Sequence, residues 1–79
     1  MTLMKGGHRM ANYQLKMHMD KHGDRQKDLA QVLGISNAYM NRKINGHAEF
    51  TRLEMDTIRE RYSLSDGEFV SCFFSAKVS

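Results

Sequence analysis

The 79-residue sequence predicts an all-α fold of five short helices. Three observations carry that expectation. The chain has no proline and no alternating apolar/polar run. Apolar residues recur at intervals of three and four along most of its length. Small polar residues or glycines stand at the boundaries those intervals define.

The first helix is expected over residues 13–22. Asn12 can accept from a free backbone N–H at its start, Leu15 and Met19 lie one turn apart on its inner face, and Gly23 ends it. The second is expected over 25–33, with Asp24 as N-cap and Leu29, Ala30 and either Val32 or Leu33 turned inward. Gly34 stops it and Ile35 plugs the turn. Ser36 then caps a third helix over 37–44, with Met40 and Ile44 inward, and Asn45-Gly46 closes it.

Two capping boxes open the remaining helices. Thr51-Arg52-Leu53-Glu54 starts the fourth, where Phe50 can form a staple with Met55, and Met55, Ile58 and Tyr62 make one stripe. Ser65-Asp66-Gly67-Glu68 starts the fifth, in which Phe69 and Phe73 share one face and Val70 and Phe74 a neighbouring one. That apolar band is wider than one core contact needs. It reads as a homodimer surface formed by Phe69, Val70, Phe73 and Phe74, or as a well-buried terminal helix in a thin domain.

A chain this short holds one core, expected over residues 12–79, and buries only about 60% of its unfolded surface, so a partner subunit would add useful burial. Residues 1–11, with Gly6-Gly7 inside, read as a flexible arm whose Lys5 and Arg9 can reach a groove. Twelve Lys and Arg against nine Asp and Glu give a net charge of +3, which fits a polyanionic partner without demanding one. Cys72 is the only cysteine, excluding an intramolecular disulfide and a Cys-rich zinc site and fitting a reducing cytoplasm. No signal peptide or membrane segment is expected.

Catalysis finds no support. Cys72 has no evident base and reads as a small apolar filler or a partly exposed thiol, and the carboxylates form no recognisable acid–base pair. His18 and His22 have a metal-compatible spacing of four but lack a third ligand, so neither metal nor cofactor is expected.

The informative stretch is 26–46. Two short helices around a glycine turn cross closely when Ala30 is small and Ile35 and Met40 fill the joint. The N-terminal face of the third helix is then free to lie in a DNA major groove. Its outward residues are Asn37, Ala38, Tyr39, Asn41 and Arg42. Arg can donate bidentately to guanine, Asn can pair with adenine, and Ala can meet a thymine methyl. Asn41 and Arg42 also suit a merely solvated helix face, and Tyr39 can instead pack on a neighbouring helix. Arg25, Gln26, Lys27, Lys43, Asn45, His47 and Arg52 surround this face as candidate phosphate contacts.

The run 26–46 resembles the lambda-repressor-like (XRE, Cro/CI-type) helix-turn-helix family. Lys43-Ile44-Asn45-Gly46, Phe50-Thr51, Glu54 and the closing Phe73-Phe74-Ser75-Ala76-Lys77-Val78 are similar to a subgroup of small phage and prophage regulators, and the resemblance spans 13–78. It implies a five-helix domain that binds a palindromic double-stranded operator as a two-fold dimer in the host cytoplasm, a Cro-like repressor. The alternative is a protein-binding module of the same fold, acting as an anti-repressor or modulator of a larger repressor. Two departures stand out: Arg25 replaces the family's usual Thr or Ser, and Lys43-Ile44 replaces an apolar residue followed by Glu.

Overall fold

A computed structural model describes residues 12–74, and every regular element among them is helical. The elements are α1 (Tyr13–Lys21), α2 (Gln26–Leu33), α3 (Asn37–Ile44), α4 (Arg52–Tyr62) and α5 (Asp66–Phe73), with no strand among the described residues. The expected arm over 1–11, with Lys5 and Arg9, and the closing Ser75 to Val78 lie outside the described residues.

Side-chain oxygens open four of the helices. Asn12 Oδ1 accepts from Leu15 N at 3.0 Å and Ser36 Oγ from Tyr39 N at 3.0 Å. Thr51 and Glu54 exchange bonds of 3.1 and 2.9 Å, and Ser65 and Glu68 bonds of 3.2 and 2.9 Å, completing both capping boxes. Each such cap contributes about 1 kcal/mol by satisfying an otherwise orphaned donor.

The start of α2 departs from expectation. Arg25, not Asp24, is its N-cap, and Arg25 N donates to Asp28 Oδ2 at 2.9 Å, so only the returning half of a capping box forms. That bond holds the Asp28 carboxyl below its usual range. Asp24 is unavailable because Arg61 and Tyr62 occupy it.

Four helices end in one recurring turn. After α2, Gly34 at φ +74° donates to Gln31 O (3.1 Å) and Ile35 N to Ala30 O (3.0 Å). Gly23, Gly46 and Ser63 occupy the same left-handed position after α1, α3 and α4, with matching bonds from Asp24 N to Met19 O, His47 N to Arg42 O, and Leu64 N to Arg59 O. This paired pattern satisfies carbonyls that a helix end leaves open. It also drops one residue into the interior after two of the turns: Ile35 packs on the core and Leu64 belongs to it.

The core is Leu15, Met19, Leu29, Ala30, Met40, Ile44, Ile58, Tyr62, Leu64 and Cys72, so every helix contributes. Leu33 packs against it while Val32 faces solvent, which resolves the alternative left open for α2. Cys72 is the expected small filler, and burial pushes its thiol up to about 11. Phe50 meets Phe73 edge-on at 5.4 Å, joining the α4 entry to α5. Asn12 adds a polar tie: its backbone N donates to Ile44 O (2.8 Å) and its Nδ2 to Cys72 O (2.6 Å), linking the start of α1 to the ends of α3 and α5.

Candidate nucleic-acid interface

Helix α3 buries Met40 and Ile44 against the core, and eight residues at 100° per residue must then turn the opposite arc outward. Asn37, Ala38, Tyr39, Asn41 and Arg42 are all exposed there. All five expected base-reading residues are therefore accessible, Asn37 and Asn41 on one stripe, Ala38 and Arg42 on the next, and Tyr39 farther round the helix over Lys43.

Two amide bridges shape that surface. At its N-terminal end, Gln26 Nε2 donates to Asn37 O (3.2 Å) and to Asn37 Oδ1 (3.0 Å), joining the first residues of α2 and α3. At its C-terminal end, Asn45 Nδ2 donates to Asn41 O (3.0 Å) and Asn41 Oδ1 (3.1 Å). Asn45 is thus a half-buried C-cap whose amide is engaged by its own helix, rather than a side chain extended toward a phosphate. Arg42 Nη2 donates to His47 O at 3.4 Å, a long bond on an exposed surface.

Lys43 corrects the expected phosphate set. Its side chain is 1% exposed, with Nζ 2.9 Å from Glu54 Oε1 and donating to Glu49 O at 2.7 Å. Tyr39 and Phe50 cover it, with ring centroids 4.5 and 5.7 Å from Nζ. A lysine so enclosed cannot reach a phosphate. Burial alone would raise the Glu54 carboxyl, but the bonds from Lys43 and Thr51 outweigh it and hold Glu54 below its usual range. Tyr39 therefore does two things at once: it shields Lys43 and leaves 44% of its own surface open.

The other expected phosphate contacts are accessible. Arg25, Lys27, His47 and Arg52 are exposed and Gln26 is half-buried. Arg25 and Arg52 hold only open ion pairs, to Asp28 (3.3 Å) and Asp56 (3.4 Å), which solvent weakens. Arg25, Lys27 and Asn37 line one surface groove with Asp28, Ala30, Gln31 and Ile35. Cationic side chains thus flank the start of α2 and α3, while Arg42 and His47 lie at the other end of α3.

No family model, curated protein or solved structure matches the chain.

The α5 band splits in two. Phe69 and Phe73 pack against the core and meet edge-on at 5.2 Å, whereas Val70 (50%) and Phe74 (45%) stay exposed. The second pair is the more exposed of the two, and Leu53 on α4, at 77% exposed, is a further apolar side chain that sequence reasoning did not single out.

Sequence reasoning also missed a polar lock between the α1–α2 loop and the end of α4. Arg61 donates to both Asp24 oxygens (2.6 and 2.8 Å), Tyr62 Oη donates to Asp24 Oδ2 (2.7 Å), and the His22 ring lies 4.8 Å from that of Tyr62. The Arg61 bonds lower the Asp24 carboxyl to about 2, while burial and its bond to Asp24 push the Tyr62 phenol well above its usual value. His18, half of the spaced histidine pair, is buried. Among the described residues no three His, Cys, Asp or Glu side chains converge as a metal site, and no helix is long and apolar enough to cross a membrane.

Proposed function

We propose that residues 26–44 form a helix-turn-helix of the lambda-repressor-like kind, and that α3 reads operator DNA from the major groove. The observation that carries this reading is the set of polar side chains Asn37, Asn41 and Arg42, all exposed on a helix whose opposite side is fixed in the core. Hydrogen-bonding side chains held on a rigid helix suit base edges, and the cations beside them suit flanking phosphates. Arg25, Gln26 and Lys27 then contact the backbone at one end of α3, and His47 at the other.

The chain acts as a Cro-like repressor of phage or prophage type in the bacterial cytoplasm. It binds a palindromic operator as a homodimer through Val70 and Phe74, with half-sites one DNA turn apart, about 34 Å. Such a reader works by occupancy, excluding polymerase or a competing regulator from overlapping sites. The second reading is a protein-binding module that modulates a larger repressor, and the exposed Tyr39 beside Ala38 favours it.

Selection from a randomised duplex pool, followed by a salt titration, separates the two. Operator binding yields a palindromic consensus, and log K falls with log salt at about 0.9 per phosphate contacted. A pool that enriches nothing, with DNA affinity no better than non-specific, overturns the operator reading.

A further inference from the structure

We propose that Asn45 sets the base specificity of Asn41, turning it from an adenine reader into a guanine reader. The inference rests on the DNA-reading role of α3. Its ground is the hydrogen-bond chemistry at the C-terminal end of that helix. Asn45 directs one amide atom at the backbone carbonyl of Asn41, 3.0 Å away. A carbonyl only accepts, so that atom is the nitrogen, Nδ2. The same Nδ2 lies 3.1 Å from the Asn41 amide, and a donor there requires the facing atom to be the oxygen, Oδ1. The orientation of the Asn41 amide thus follows from a backbone group that cannot be inverted.

The consequence lies on the outer side. Asn45 turns Oδ1 toward itself and takes one of its two lone pairs, so the nitrogen is the unengaged atom of the Asn41 amide, with no acceptor among the described residues. Pairing with adenine needs both amide atoms presented together, the oxygen to the N6 amine and the nitrogen to N7. A nitrogen presented alone seeks acceptors, and guanine offers two adjacent ones, O6 and N7. Cytosine presents a donor there and is rejected. Asn37 carries the same arrangement, its Oδ1 held by Gln26 Nε2, and Arg42 has donors only. The unengaged polar atoms on the exposed side of α3 are therefore donors. Asn45 acts as a positioning residue, through Asn41.

Duplex selection with the full chain tests this. Asn41→Ala first marks the base pair that Asn41 reads, as the position whose preference disappears. The native chain prefers guanine there over cytosine by about tenfold, the lower range for one good contact. Asn45→Ala frees the Asn41 amide to rotate, and this preference falls toward parity while the other positions keep theirs. Asn45→Asp supplies an acceptor, turns the Asn41 amide over, and moves the preference toward adenine or cytosine. Should either variant fold poorly by circular dichroism, Asn41→Asp serves: it removes the donor and moves the preference to cytosine. A native preference for adenine, or guanine preference unchanged in Asn45→Ala, overturns the inference and leaves operator binding intact. A native chain that selects no consensus overturns operator binding itself, and the inference with it.

Discussion

Lys43 Nζ lies 2.9 Å from Glu54 Oε1, in an ion pair whose side chains are only 1% and 13% exposed. The pair ties the last turn of α3 to the first turn of α4, and Glu54 also closes the Thr51 cap. Desolvating two charges is costly, and the bond from Lys43 to Glu49 O and the overlying Tyr39 ring help to offset it. Removing one partner strands the other.

Lys43→Met is accordingly expected to destabilise the chain by about 3 kcal/mol, with recovery when Glu54→Gln is added. Chemical denaturation of the single and double variants measures both effects. The double variant should also keep the native salt dependence of DNA binding, whereas loss of a phosphate contact would lower that slope by about one.

The Asp24 lock predicts an acid-labile contribution. The Asp24 carboxyl falls from 3.8 to about 2 through its bonds from Arg61 and Tyr62, and its side chain is 9% exposed. A lowered carboxyl favours the folded state when ionised. Its contribution, on the order of 2 kcal/mol, is complete above the unfolded value and is lost as the pH falls toward 2. Asp24→Asn should therefore cost that amount at pH 7 and much less at pH 2, as followed by urea denaturation across that range. An equal cost at both pH values would mean that ionisation of Asp24 does not matter to the fold.

Arg42→Ala should relax base preference at one position per half-site at a cost of about 1–3 kcal/mol. Competition binding against single-substituted operators is the measurement. Uniform weakening on every duplex would reassign Arg42 to phosphate.

The two halves of α5 should respond differently to charge. Phe74 is 45% exposed, so Phe74→Glu is expected to fold, sediment as a monomer and bind its operator more weakly. Phe73 packs against the core and touches Phe50 and Phe69, so Phe73→Glu should unfold the chain. A folded, dimeric Phe74→Glu would move the interface elsewhere, with exposed Leu53 the next residue to test.

Much of the fold was legible because its signals are local. Asn12, Ser36, Thr51 and Ser65 each sit three residues before the N–H they receive, and the spacing of Leu15, Met19, Met40, Ile44 and Ile58 marks the inner arcs directly. Ile35 was readable because a glycine precedes it. Leu64 occupies the equivalent place after Ser63, a residue that does not advertise a left-handed turn, and it was missed. The polar errors have a different origin. Asp24 looks like a helix cap until Arg61, distant in sequence, claims it. Lys43 looks like a surface cation, although it follows Met40 by three and so falls on the inner arc; its burial depends on Glu54, Tyr39 and Phe50 meeting in space. Side-chain exposure along α3 followed from periodicity, while the amide bridges at its two ends depend on rotamers and, for Gln26, on a partner eleven residues away.

The reach of Asn12 bears on how the chain can be re-engineered. One side chain spans from the start of α1 to the carbonyl of Cys72 near the end of α5, so the two ends of the described fold nearly touch. A short linker between residues 12 and 74 should therefore permit circular permutation, with new termini opened in the loop before Thr51. Such a permutant would keep α2 and α3 contiguous and let a fused reporter leave the domain from the entry to α4.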